Sequence, residues 1–113
     1  ESHRVRILDW AMWQVGLATN DLAYMIAMHD FPDYRSRMER PLLRTYYDRL
    51  VSLGVEGYTW DDCWLDYRLS AIHNLFFPVY HWVVEGDPAL WWPNLERAML
   101  AYQDLRCEDL LED

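Results

Sequence analysis

Apolar side chains that recur every three or four residues constrain the fold of this chain more than any other feature. Between Asp33 and Gly54 this spacing predicts one face of an amphipathic helix. The residues on that face are Tyr34, Met38, Leu42, Leu43, Tyr46, Tyr47, Leu50, Val51 and Leu53. Pro41 lies inside the segment and is expected to divide or kink the helix. Gly54 is placed to end it, because glycine readily takes the left-handed conformation that follows a helix.

A second helix signal begins at Thr59. Thr59 and Asp62 have the spacing of a capping box, with aspartate in the place of the usual glutamate. The apolar stripe after it consists of Trp60, Trp64, Tyr67, Ala71, Ile72, Leu75, Phe76 and Val79. Pro78 is expected to kink or end this helix near its last turn.

The two ends of the chain complete the predicted architecture. Residues 4–9 alternate and then run apolar, which indicates one short strand. Thr19 or Asn20 is expected to cap a helix that starts at Asp21, and a last helical region follows Pro88. We therefore expect all 113 residues to form a single, mainly α domain with one N-terminal strand and four to five helices.

Charge and cysteine content disfavour several functional classes. The formal net charge is −9, and all ten basic residues are arginine. Without a Lys/Arg stripe, neither a nucleic-acid nor a membrane partner is expected, whereas a cationic small molecule would suit the acidic surface. Cys63 and Cys107 lack C-x-x-C spacing, and no apolar run approaches the roughly 20 residues of a membrane span. Free thiols and a cytoplasmic location are expected.

The first quarter of the chain contains two acidic residues in a suggestive order. Asp9 ends the predicted strand and is followed by Trp10, and Gly16 comes seven residues after Asp9. An Asp-Leu-Ala-Tyr motif then starts at Asp21. A carboxylate at the end of a strand presents the oxygen ligand that Mg²⁺ prefers.

This segment resembles the aminoglycoside and choline phosphotransferases and their ecdysteroid-kinase-like relatives. That family ends its metal-binding strand in a hydrophobic-Ile-Asp-Trp/Phe motif and continues to an Asp-Leu-Ala-like motif. The resemblance covers residues 4–58 and is loose over residues 59–113. It implies the helical C-terminal subdomain of a protein-kinase-like phosphotransferase. The implied parent activity transfers the γ-phosphoryl group of ATP or GTP to a hydroxyl of a small, cationic molecule.

The resemblance also implies roles for two carboxylates. Asp9 matches the aspartate that holds Mg²⁺ against the β- and γ-phosphates of the nucleotide. Trp10 would pack beside that metal. Asp21 matches a structural aspartate that braces the catalytic loop, and the alternative for Asp21 is a simple carboxylate at a helix start.

The chain departs from the family in what it lacks. Phosphoryl transfer also needs a glycine-rich phosphate loop, a lysine, and a base in a His-x-Asp-x-x-x-x-Asn-like loop upstream of the metal strand. None of these occurs in the 113 residues. No catalytic or nucleotide-binding residue is therefore assigned, and the chain alone is expected to be inactive. We expect either a missing N-terminal lobe or a homodimer. The alternative functions are those of a non-enzymatic, self-associating helical bundle or of a small-ligand-binding module that uses the Trp-rich region.

A second group of candidates follows Thr59 on the predicted helix. Asp62, Asp66 and His73 point to one side of it at 100° per residue. The carboxylates would suit a cationic substrate, and a solvated helix face is the alternative interpretation.

Aromatic residues concentrate around the turn at residues 85–88. Trp82 and Trp91, with Trp92 beside them, are candidates for stacking on a ligand or holding a cation. Core packing and an interface between chains are the alternatives.

Overall fold

The computed structural model describes residues 14–112, which form five α-helices and one short 3-10 helix. The α-helices are α1 (Asn20–Ala27), α2 (Pro32–Ser52), α3 (Trp60–Asn74), α4 (Phe76–Glu85) and α5 (Pro88–Asp104), and the 3-10 helix is Cys107–Leu110. The predicted mainly α class is thus confirmed, whereas the strand predicted at residues 4–9 lies outside the described residues. Within residues 14–112, no helix combines the length and the hydropathy needed to cross a bilayer.

Helix α3 is the central element of the fold, and α1, α2, α5 and the 3-10 helix all pack against it. Small side chains let the helix backbones approach closely, and larger ones fill the space between them. The buried cluster consists of Ala23, Ala27, Leu43, Tyr67, Ala71, Ala101, Leu105 and Cys107. Burying this apolar surface stabilises the fold by about 25 cal/mol per Å².

Helix α2 continues through Pro41, so this proline does not divide the helix, and the alternative expectation of a kink stays a prediction. Proline removes the hydrogen bond to the carbonyl four residues earlier, here that of Arg37. Both Pro41 and Arg37 are exposed, so water can satisfy the freed carbonyl. Solvent exposure, which the local sequence does not specify, makes the proline tolerable.

The apolar stripe after Thr59 forms two helices rather than one. Helix α3 ends at Asn74 and α4 begins at Phe76, four and two residues before Pro78. In a continuous helix the Pro78 ring would clash with the carbonyl of Asn74. Pro78 instead occupies the first turn of α4, where a backbone N–H has no helical partner to lose.

The predicted cap of α3 is confirmed, and that of α1 is not. Thr59 Oγ1 accepts a hydrogen bond from the Asp62 amide at 3.1 Å, and the Asp62 carboxylate accepts one from the Thr59 amide at 2.8 Å. Thr19 occupies the N-cap position of α1, but its side chain caps no backbone group. Its hydroxyl is hydrogen-bonded to another helix instead.

Candidate functional site

The chain that leads away from the predicted metal strand is anchored to α3 at the start of α1. Thr19 Oγ1 lies 2.9 Å from Ser70 Oγ, and both residues are fully buried. Asn20 Oδ1 lies 3.0 Å from His73 Nδ1, and Asn74 Nδ2 donates to the Asn20 carbonyl at 3.2 Å. Three polar side chains near the C-terminal end of α3 therefore hold two consecutive residues in place.

Asp21 directly follows this anchor, in the first turn of α1, and it is exposed. Within residues 14–112, no hydrogen bond or ion pair involves its carboxylate. The positive end of the α1 dipole stabilises a negative charge there, which agrees with a simple helix-start carboxylate. The loop-bracing role stays a prediction, and its partners would have to come from outside the described residues.

Asp9 and Trp10 lie outside the described residues, so the magnesium assignment to Asp9 stays a prediction. Among residues 14–112, no three His, Cys, Asp or Glu side chains lie together as a group able to hold a metal ion. Counted along the sequence, Thr19 is the first described residue after Asp9 that is buried, and it is hydrogen-bonded to α3.

Asp62 and Asp66 are both engaged in local hydrogen bonds. Asp62 Oδ2 accepts from the Thr59 amide at 2.8 Å and from its hydroxyl at 2.6 Å, and these bonds lower the pKa of Asp62. Asp66 Oδ2 accepts from the Tyr58 hydroxyl at 2.8 Å. The pKa of Tyr58 is raised, mainly by burial and next by the hydrogen bond to Asp66, so this hydroxyl stays protonated. Asp66 keeps one oxygen available, whereas Asp62 serves mainly as a cap.

The predicted patch of Asp62, Asp66 and His73 is extended along α3. At 1.5 Å per residue, Asp62 and His73 lie about 16 Å apart along the axis. His73 is bonded to the start of α1, whereas Asp62 lies at the opposite end of α3. One small cationic molecule could therefore contact Asp66 and either neighbour, but not all three. Substrate binding by these residues stays a prediction.

Trp82 and Trp91 contact each other across the α4–α5 turn. Their ring centroids lie 5.7 Å apart with an interplanar angle of 38°, and Trp91 and Trp92 lie 5.8 Å apart nearly edge-on. Trp82 and Trp92 are both more than half exposed, so the core alternative is wrong for these two. Trp91 is half-buried between them. An aromatic surface at this position fits either an interface or a ligand contact.

An ionic group between α2, α3 and α5, buried at Arg35 and Glu39 and exposed at Asp104, was not predicted from the sequence. Arg35 is 2% exposed; its Nε lies 3.7 Å from Glu39 Oε2, and its Nη2 pairs with Asp104. The Tyr67 hydroxyl donates to Glu39 Oε2 at 3.1 Å. Burial raises the pKa of Glu39, although the Arg35 charge opposes this. The i, i+4 spacing of Arg35 and Glu39 is visible in the sequence, but their burial depends on distant residues.

The two cysteines are free and buried, which makes them poor nucleophiles. Burial raises the pKa of both thiols, and that of Cys107 rises from 9.0 to about 11. The thiolate is the reactive form, so Cys107 should react about 100-fold more slowly than an ordinary thiol near neutral pH. We expect iodoacetamide to label both cysteines slowly in the native chain and rapidly in guanidinium chloride, as followed by mass spectrometry. Equal labelling rates in the two states would contradict the burial of these thiols.

Comparison of the chain with protein-family models, with curated proteins and with solved structures gives no match. A functional assignment therefore depends on the residues of this chain and on the geometry around α1 and α3.

Proposed function

We propose that this chain is part of the C-terminal lobe of a small-molecule phosphotransferase. The intact enzyme would transfer the γ-phosphoryl group of ATP or GTP to a hydroxyl of a small, cationic substrate. Asp9 would hold Mg²⁺, and Asp21 would brace the catalytic loop. The observation that carries the proposal is the anchoring of Thr19 and Asn20 to α3, directly before the Asp-Leu-Ala-Tyr motif.

This anchor suits a chain that has to position a metal ligand. Functional ligands need to be held within about 0.5 Å by rigid supporting elements. Thr19 lies only ten residues after Asp9, and both Thr19 and its partner Ser70 are fully buried. This buried hydrogen bond fixes the position of the chain at Thr19 more precisely than apolar packing alone would.

The acidic residues on either side of the anchor support the same proposal. Mg²⁺ is commonly bound by one or two carboxylates together with substrate phosphates and water, so Asp9 alone would suffice as a protein ligand. The bound ion would neutralise charge on the transferring phosphates. Asp21, with no partner within residues 14–112, is available to accept backbone hydrogen bonds from a loop outside them. Asp66 is the best placed carboxylate for a cationic acceptor.

The proposal is tested with the protein extended by the segment encoded upstream of Glu1. We expect the extended protein to bind nucleotide by calorimetry only with Mg²⁺ and to phosphorylate hydroxylated amines. Asp9→Asn should lower kcat/KM by about 10²–10³-fold, the usual loss for one electrostatic contact to the transition state. The 113-residue chain should not bind nucleotide at micromolar concentrations.

A matched control is Asp61→Asn, because Asp61 is an exposed carboxylate in the first turn of α3. This substitution should leave kcat/KM unchanged. Equal activities of the Asp9 and Asp61 variants, or an extended protein that binds no Mg²⁺-nucleotide, would refute the proposed function.

A further inference from the structure

Helix α4 presents an apolar face that no described residue covers. Phe76, Val79, Tyr80 and Val83 follow the i, i+3, i+4, i+7 spacing of a buried helix face. They are nevertheless 60%, 47%, 47% and 77% exposed. Pro78 is the only residue of α4 that is fully buried. The pattern that normally marks the core side of a helix therefore lies on the surface, and we call it the α4 face.

Two further features make the α4 face suitable for contact with another helix. The rings of Phe76 and Tyr80 stack 5.7 Å apart at an angle of 26°, which gives a nearly flat aromatic surface. Trp82 and Val84 flank the face and are also more than half exposed. Monomeric proteins rarely leave continuous apolar patches of this kind unless they serve for binding.

The charge of the chain indicates what occupies this face. The chain carries a net charge of −9, yet residues 76–84 contain no Asp, Glu, Lys or Arg, and His81 is their one titratable side chain of basic type. An interface that included the carboxylates of both acidic copies would bring like charges together, which is unfavourable. The α4 face is a part of the described surface where two acidic copies can meet without burying a carboxylate.

The area of the face fits association between copies. The six exposed apolar side chains of α4 offer about 600 Å², taking roughly 200 Å² for a fully exposed aromatic residue. A standard interface buries about 800 Å² on each partner. Trp92 on α5, which is more than half exposed and is connected to Trp82 through the ring of Trp91, can supply part of the difference. The surface is therefore large enough for a dimer of moderate affinity.

We infer that the α4 face binds the α4 face of a second copy of this chain in an antiparallel, two-fold symmetric dimer. A two-fold axis beside Val79 and Tyr80 places Phe76 of one copy opposite Val83 of the other. Two-fold dimers, in which the same patch meets itself, are the commonest form of homo-oligomer. The inference does not depend on phosphotransferase activity and holds equally for a non-enzymatic bundle.

Val83→Glu tests the inference, because it places a charge opposite Phe76 of the second copy. In sedimentation velocity, we expect the unmodified chain to show a dimer whose fraction rises with protein concentration in the micromolar range. Val83→Glu should weaken dimerisation at least about tenfold, equivalent to 1.4 kcal/mol. Leu53→Glu is the matched control, since Leu53 is 64% exposed at the end of α2, and it should leave the dimer intact. Circular dichroism checks that both variants are folded.

Disulfide cross-linking tests the antiparallel arrangement. Val79→Cys lies beside the proposed axis and should form a disulfide between copies on mild oxidation. Val83→Cys should do so poorly, because the two positions would lie about 10 Å apart along the helices. The native Cys63 and Cys107 are buried and should contribute little background. A monomer at every concentration, equal cross-linking at both positions, or a monomer that binds zwitterionic lipid vesicles through α4 would overturn the inference.

Discussion

Arg35→Met is expected to lower the free energy of unfolding by about 3–5 kcal/mol, the cost of leaving a buried charge without its partner. Arg35 forms ion pairs with both Glu39 and Asp104, and Glu39 is buried where α2 packs against α3. Removing the guanidinium leaves the Glu39 carboxylate with the Tyr67 hydroxyl as its hydrogen-bond donor and Arg40 as its remaining cationic neighbour. Urea denaturation at neutral pH, followed by circular dichroism, measures the loss.

The dependence of this loss on pH identifies its cause. Burial already raises the pKa of Glu39 above its ordinary value of 4.5, and loss of Arg35 should raise it further. A raised pKa in the folded state means that protonation favours folding, so the penalty is present at high pH and decreases as the pH falls. We therefore expect the difference between Arg35→Met and the unmodified chain to shrink as the pH is lowered towards 4.5.

A surface ion pair on the same helix provides the control. Arg44 Nε lies 3.1 Å from Asp48 Oδ1, but both side chains are more than half exposed. Arg44→Met should therefore cost less than about 1 kcal/mol. The triple variant Arg35→Met, Glu39→Leu, Tyr67→Phe should recover much of the stability, because it replaces the buried members of the group by apolar side chains and leaves only the exposed Asp104. Equal losses for Arg35→Met and Arg44→Met would show that the buried ion pair contributes no more to the free energy of unfolding than the surface ion pair does.

Leu43→Ala is expected to lower the free energy of unfolding by about 2–5 kcal/mol, the range for a buried leucine that leaves a cavity. Leu43 is fully buried on α2 and lies in a cluster rich in alanine. Side chains such as Ala23 and Ala101 are too short to move into the space. The loss should therefore lie in the upper half of that range.

Leu53→Ala is the matched control, because Leu53 caps the C-terminal end of the same helix but is largely exposed. It should change stability by no more than about 0.5 kcal/mol. The denaturation midpoint of Leu43→Ala should fall while the slope stays constant, since the same surface is exposed on unfolding. A loss below about 1 kcal/mol would mean that the core around Leu43 collapses to fill the cavity.

The helices were predictable because their signals are local. The Thr59–Asp62 capping box and the apolar spacing act within one or two helical turns, and both match the structure. The proline expectations were met only in part, because the effect of a proline depends on its surroundings. Pro41 lies on an exposed face of α2 and does not divide it, whereas the helix does break before Pro78, which then lies in the first turn of α4.

The sequence by itself determined the helical class, the order of the helices and the motif residues Asp9 and Asp21 on which the proposed function depends. Only the tertiary structure decided that Thr19 bonds to Ser70 and that Arg35 is buried beside Glu39. It also decided that the apolar side of α4 faces outwards. The physical reason is range: helix formation depends on neighbours a few residues away, whereas burial and polar pairing depend on residues that only folding brings together.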